Sequence, residues 1–346
     1  MQKLLSIIIP VYNVEAYIIK CLDSLVLNDA CLMELFEVII INDGTPDRSA
    51  ELSRDFTRRY PRTFRQVDKD NGNYGSCVNR GLAEAQGKFI KVLDADDWFD
   101  PDQFCEYLDR LSGIREDIDL ILTDFTKVSS EGGIIEECKF KIPYNSVFSF
   151  QEYEGLDYFA HHALTYRTNL LREHQYKQTE RISYTDNEWV YYPQLYVDKC
   201  VYWDIDLYRY MIGREGQTMN PSVRMKRITQ VITILKRMVS ELESFHEQGG
   251  QGTGAKRLSD FILHTSIGIY NTYLVKVSGK DFPATVLKDY DEFLLCNGRQ
   301  FYESIGDRSV LKGIPVHYVK FWRRFDKRFP VDFFRTLYRR IKYGSR

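Results

Sequence analysis

Three carboxylates occupy four consecutive positions in the run Val92-Leu93-Asp94-Ala95-Asp96-Asp97-Trp98, directly behind an apolar segment. Carboxylates so close repel one another when ionised, and a divalent cation relieves the repulsion. Magnesium and manganese take one or two protein carboxylates and complete their shells with phosphate oxygens, so a diphosphate-bearing substrate suits this arrangement. The competing reading is a solvated acidic turn that caps a helix beginning at Pro101. One strand earlier, Asn42-Asp43-Gly44-Thr45 has the corresponding place. An aspartate there can accept hydrogen bonds from a nucleobase or a ribose, although Asp-Gly is also an ordinary turn.

Both clusters need a scaffold that gathers strand ends, and the apolar spacing supplies one. Residues 4–9 form a continuous apolar run ended by Pro10, 36–41 a second that stops at Asn42-Asp43-Gly44, and 88–93 a third, as expected of parallel strands buried on both faces. A short strand covers 65–67, and helical spacing covers 16–25, 49–60 and 78–85. The polar, glycine-rich stretch 70–76 reads as a flexible functional loop. This alternation predicts an α/β fold, a doubly wound, mostly parallel sheet flanked by helices, with ligands beyond the carboxyl ends of the strands. Strands and helices mix from 120 to 207, and after 225 the pattern is mainly helical, over 228–245 and 255–277. The expected division is a nucleotide-binding and catalytic domain over 1–220 and a helical region over 221–346, which a length of 346 residues permits.

Composition is that of a folded protein, with 44% hydrophobic and 28% charged residues. The seven cysteines are scattered without CxxC pairs, which fits a reducing compartment better than a disulfide framework or a zinc site. The first apolar run is too short for a signal peptide, and no stretch of about 18 apolar residues suggests a membrane span. The net charge of -2 hides a basic tail: residues 318–346 hold ten Lys and Arg against two Asp, interleaved with aromatics. Such a tail suits an anionic bilayer surface, and a helix packed on its own protein with a basic outer face has the same pattern. No nucleic-acid-binding module accompanies it.

Four blocks in order carry a family resemblance: Ser6-Ile7-Ile8-Ile9-Pro10-Val11-Tyr12-Asn13-Val14-Glu15, then Ile41-Asn42-Asp43-Gly44-Thr45-Pro46-Asp47-Arg48-Ser49, then Asn79-Arg80-Gly81-Leu82-Ala83-Glu84-Ala85-Gln86-Gly87-Lys88-Phe89-Ile90, then Leu93-Asp94-Ala95-Asp96-Asp97. Together they resemble the signature of family-2 inverting glycosyltransferases with the GT-A fold. The resemblance implies transfer of a sugar from a nucleotide-sugar, most commonly a UDP-sugar, to a glycan or lipid-linked acceptor in surface polysaccharide synthesis, with Mn2+ or Mg2+ as cofactor.

By that resemblance Pro10, Tyr12 and Glu15 line the nucleotide pocket, Asp43 meets the base or ribose, and Asp94 and Asp96 flank Ala95 as the DxD pair at ribose and metal. Lys69, Asn71, Asn79 and Arg80 fall on the donor side. Where many members have Ala-Arg-Asn this chain has Cys77-Val78-Asn79, so Arg80 or Lys69 is expected to replace the missing arginine. Inverting transfer needs a general base at the acceptor hydroxyl. Ser183-Tyr184-Thr185-Asp186-Asn187-Glu188-Trp189 resembles the family's Glu-Asp segment, with Thr185 in place of the glutamate, Asp186 as the base and Glu188 in reserve; an N-capping aspartate is the structural alternative. Residues 207–218 are similar to the family's donor-covering loop, where Arg209 or Arg214 could steady the leaving diphosphate. His161-His162 is read as structural or acceptor-lining, because adjacent side chains on a helix diverge. The expected location is cytoplasmic, peripheral at the inner face of the membrane, with no constraint on oligomeric state. The alternatives are a sugar-nucleotide-binding scaffold without turnover and, further off, a sugar-phosphate nucleotidyltransferase. The latter would need a glycine- and arginine-rich loop where Pro10-Val11-Tyr12-Asn13 stands.

Overall fold

The computed structural model describes residues 3–153, 158–213, 227–276, 284–310 and 316–325, together with 336 and 340. Its contacts divide the chain into two compact units, Met1–Pro221 and Ser222–Arg346.

The first unit is an α/β fold. In chain order it contains β1 (Leu5–Val11), α1 (Ile18–Asp23), α2 (Ala30–Leu35), β2 (Phe36–Asn42), α3 (Ser49–Arg59), β3 (Phe64–Asp68), α4 (Asn73–Glu84), β4 (Phe89–Val92), β5 (Trp98–Phe99) and α5 (Pro101–Gly113). Then follow β6 (Leu120–Ser129), β7 (Ile134–Cys138), β8 (Val147–Ser149), a 3-10 turn (His161–Ala163), β9 (Leu164–Arg167), α6 (Thr168–Glu173), α7 (Asp186–Tyr191) and β10 (Lys199–Ile212). The strands join one sheet in the order β3-β2-β1-β4-β9-β6-β10-β5, with β7 on β6 and β8 on β10.

The half β3-β2-β1-β4 is parallel throughout. Its apolar runs are continuous because helices cover both faces, and Ile7, Ile8, Ile9, Val38, Ile39, Ile40 and Ile41 are fully buried. Parallel pairing sends the ends of β1, β2 and β4, and the residues following them, to one edge of the sheet. Strand β9 enters antiparallel between β4 and β6, and β10 runs parallel to β6.

Two expectations are corrected here. The glycine-rich stretch is no open loop: α4 starts at Asn73, and a Cβ on Gly75 would lie 2.1 Å from the Thr179 carbonyl, so this glycine lets the helix pack against the following loop. Residues 207–212 are likewise strand, paired with β6 and β5, because their alternating side chains complete the sheet.

The second unit comprises α8 (Ile228–Glu247), α9 (Thr253–Asn271), α10 (Ala284–Asn297), α11 (Arg299–Arg308) and α12 (Tyr318–Arg324). Its core includes Leu235, Met238, Leu242, Leu258 and Ile262. The described part of the basic tail packs into this unit. Tyr318, Val319 and Trp322 are buried, Arg323 pairs with buried Asp291 at 2.7 Å, and Lys320 pairs with Asp307. These side chains therefore pack within their own unit; residues 326–335, 337–339 and 341–346 lie outside the described residues. No helix among the described residues is long and apolar enough to cross a membrane.

Candidate active site

Strand β1 delivers Pro10, Tyr12 and Glu15 to the carboxyl edge, with the Tyr12 ring half exposed. Two loops lock together there. Asn13 N–H donates to Thr45 Oγ1 (2.8 Å), Glu15 N–H donates to Asp47 Oδ2 (2.9 Å), and Arg48 N–H donates to Glu15 Oε2 (3.0 Å). Burial works against the charge on Asp47, but hydrogen bonds from Ser49, Thr45 and the Glu15 backbone outweigh it and lower its carboxyl to about 2. One of the Glu15 carboxylate oxygens is thus engaged in fixing the rim of the pocket.

At the end of β2, Asp43 is buried and its Oδ1 accepts from Gly72 N–H (2.9 Å) and from the Lys69 ammonium. Gly44 has φ +67°, the left-handed region a non-glycine residue rarely adopts, and the chain turns there so that Asn71 Nδ2 reaches the Asp43 carbonyl (3.1 Å). Lys69 also donates to the Asp70 carbonyl (2.6 Å) and Ser76 Oγ (2.8 Å), so all three of its hydrogens are used. It buttresses Asp43. Arg80 pairs with Glu84 one helical turn on, beside a groove of about 560 Å³ bordered by Lys69, Ser76, Asn79 and Tyr176. Asn79 pins the loop behind it, donating to the Gln178 carbonyl and Glu180 and accepting from Gln178 N–H.

The acidic run after β4 divides its labour. Helix α5 is capped by Asp100, whose carboxylate accepts from Gln103 N–H (3.1 Å), so Asp94, Asp96 and Asp97 are not needed as caps. Asp97 is 1% exposed and accepts from Tyr208 O–H (2.7 Å) and Met211 N–H (2.8 Å). Burial, then Asp96 and Asp94, push its carboxyl well above the usual range. The same Tyr208 hydroxyl accepts from Asp94 N–H (3.1 Å), tying the acidic loop to β10. Carboxylate oxygens of Asp94, Asp96 and Asp97 lie within 4.8 Å of one another.

His161 Nε2 lies 3.1 Å from Asp94 Oδ2, and His162 Nε2 lies 3.9 Å from Asp97 Oδ2. The histidines do not diverge as on an α-helix: they sit on a 3-10 turn with ring centroids 3.9 Å apart, both facing the aspartates. Burial opposes a charge on His161, but Asp94 outweighs it and raises the imidazole above its ordinary value. His162 is held well below, by burial and then by its neighbour's charge.

Asp186, the first residue of α7, belongs to the same cluster. Burial pushes its carboxyl up, His161 opposes the rise and Asp94 adds to it. Tyr74 is close to both Asp94 and Asp186. The helix is capped at Thr185 and not by Asp186, and the Thr185 side chain makes no cap hydrogen bond. Glu188 is fully buried and accepts from Thr179 N–H (2.6 Å) and Thr179 Oγ1 (2.7 Å), which makes it a buttress of the loop before α7. Arg209 pairs with Asp100 and Asp206, both at 3.0 Å, and braces β10 against α5. Arg214 lies outside the described residues. The structure thus gathers Asp94, Asp186, His161 and Tyr74, with Asp96 beside Asp94. The sequence reading gave no role to Tyr74 or Tyr208 and read His161 as structural or acceptor-lining; paired histidines just ahead of a buried strand were the one visible signal.

A family model described as Glycosyl transferase family 2 matches residues 6–175. The uncharacterized glycosyltransferase EpsJ of Bacillus subtilis is 36% identical over 131 residues, which are 38% of this chain and 36% of EpsJ. The minor teichoic acid biosynthesis protein GgaB of the same organism is 32% identical over 116 residues, which are 34% of this chain and 13% of GgaB. The chain thus matches about a third or less of the length of these relatives. Among solved structures, residues 1–349 of S. aureus TarS in complex with UDP-GlcNAc align with a TM-score of 0.69 at 18% identity, covering 99% of this chain and 92% of that one. The four ordered blocks lie within the span that the family model matches, and residues 6–175 carry a domain of glycosyl transferase family 2.

Proposed function

We propose that this chain transfers a sugar, with inversion, from a UDP-sugar to a hydroxyl of a glycan or lipid-linked acceptor during synthesis of a surface polysaccharide. The convergence of Asp94, Asp96 and Asp186 at the sheet edge that also carries Asp43 is the observation that supports this reading. Tyr12 and Asp43 form the base and ribose end of the donor pocket, with Lys69 and Asn71 holding Asp43 and its loop in place. A relative named for minor teichoic acid biosynthesis, and a structural neighbour crystallised with UDP-GlcNAc, make UDP-sugars the first donors to test.

The donor set fits a hard divalent cation. Asp94 and Asp96 offer carboxylate oxygens close together, while both oxygens of Asp97 accept hydrogen bonds from Tyr208 and Met211. Asp94 and Asp96 would hold Mn2+ or Mg2+, which when bound neutralises charge developing on the departing diphosphate. The rest falls to the chain. His161 and the Tyr208 hydroxyl hold Asp94, by side chain and backbone respectively. Asp186, its carboxyl raised by burial, removes the proton from the acceptor hydroxyl as the new glycosidic bond forms on the face opposite the leaving group. Scattered cysteines and the basic composition of residues 318–346 support a reading in which this work takes place at the cytoplasmic face of a membrane.

The test is a panel of UDP-sugars with Mn2+, read as sugar released to water or transferred to a glycan primer. Turnover that disappears in D186N while UDP binding persists supports the assignment. Binding without donor hydrolysis in the unaltered protein would make the chain a sugar-nucleotide-binding scaffold instead.

A further inference from the structure

Lys91 does not belong in the strand that holds it. It lies in β4 among Phe89, Ile90 and Val92, is 0% exposed, and makes no ion pair among the described residues. Its Nζ donates to the carbonyls of His162 (2.7 Å) and Leu164 (3.3 Å), and the Tyr208 ring lies 5.9 Å away. Burial pulls its ammonium down to about 7. Taking a cation out of water is costly unless a partner charge repays it, and an apolar side chain would fill this core site at no such cost. Of the two carbonyls it holds, that of His162 lies within the 3-10 turn that presents His161 to Asp94, and that of Leu164 follows directly after it.

We propose that Lys91 is a positioning residue of the donor site: from beneath the sheet edge it anchors the turn 161–164, so that His161 holds the Asp94 carboxylate in its working orientation. The link runs from the Lys91 ammonium through the backbone of the turn to the His161 ring and then to Asp94, each step a contact of 3.3 Å or less. The inference rests on Asp94 being a donor-site residue.

The experiment is a double-mutant cycle on the full chain with K91M and H161A, using UDP with Mn2+ as the probe in calorimetry. K91M keeps the length of the side chain and removes the buried charge. Its melting temperature should equal or exceed that of the unaltered protein, while UDP affinity falls about tenfold. H161A should lose a similar factor, and the double variant should be no more than about twofold weaker than H161A. K91Q, which keeps a donor without the charge, should fall between K91M and the parent. A 15N spectrum of the histidine rings gives a readout that needs no donor: the His161 resonance should move toward that of a free imidazole in K91M. A melting temperature lowered as by an ordinary core truncation, additive losses in the cycle, or an unmoved His161 resonance would each overturn the proposal. If the unaltered protein does not bind UDP, the donor reading fails on its own, and melting and the His161 resonance decide the role of Lys91.

Discussion

Replacing Tyr208 by phenylalanine removes one oxygen from the first unit and separates the acidic loop from β10. In the parent that oxygen accepts from Asp94 N–H at 3.1 Å and donates to Asp97 Oδ2 at 2.7 Å, with Tyr208 and Asp97 both essentially inaccessible to water. A neutral hydrogen bond contributes about 1 kcal/mol net and one to a charged group about 1.5 to 3, so Y208F should cost about 2.5 to 4 kcal/mol. For a unit of this size that corresponds to a fall in melting temperature of about 5 to 16 °C. The Asp94 backbone loses its tether while its side chain keeps His161, so UDP affinity in Mn2+ should drop on the order of tenfold, equivalent to about 1.4 kcal/mol. Y202F is the control. Six residues earlier on the same strand, the Tyr202 hydroxyl also bridges a backbone N–H, that of Phe140, and a buried carboxylate, Asp124. It should lose comparable stability and leave UDP affinity unchanged. Differential scanning calorimetry and isothermal titration of both variants give the answer. A Y208F protein with parental melting temperature and affinity would refute the claim that this hydroxyl ties the DxD loop in place.

D186N should lower sugar transfer by about 100- to 10,000-fold, the range for loss of a general base, and leave UDP binding within twofold; stopped assays and calorimetry check the two halves. Burial raises the Asp186 carboxyl and only the ionised form can accept a proton, so kcat/KM should climb with pH through a value above the ordinary carboxylate range and be lost below it, in a pH–rate profile. EDTA should abolish transfer and added Mn2+ restore it, as followed by release of UDP. Removing residues 326–346 should leave the melting temperature unchanged and abolish binding to anionic vesicles in a flotation assay, with salt weakening the binding of the intact chain, because the aromatic side chains of α12 are buried in their own unit.

The parallel half of the sheet was legible because mainly apolar runs at 4–9, 36–41 and 88–93, without polar alternation, are the pattern of strands buried on both faces, and the turn residues that end them mark the functional edge. The division of labour within that edge was not. Nothing in the string Asp94-Ala95-Asp96-Asp97 says that the last carboxylate turns inward to Tyr208 and Met211, because those partners are more than 100 residues away. The partners of the cations were hidden for a similar reason. Lys69, Arg80 and Arg209 read as cations for a diphosphate, and each has a carboxylate partner, Asp43, Glu84 and Asp100; the first and last of these only the fold brings into reach. The two histidines were set aside on α-helical geometry, and the 3-10 turn that aligns them depends on Lys91, a residue hidden within an apolar run.

A crystal structure of the protein grown with UDP and Mn2+ tests the central claim most directly. The account predicts the uracil and ribose between Tyr12 and Asp43, the diphosphate reaching Mn2+ at Asp96 and Asp94, and Asp186 across the site from the leaving oxygen. Nucleotide bound elsewhere, or no metal at Asp94 and Asp96 under saturating UDP and Mn2+, would contradict it.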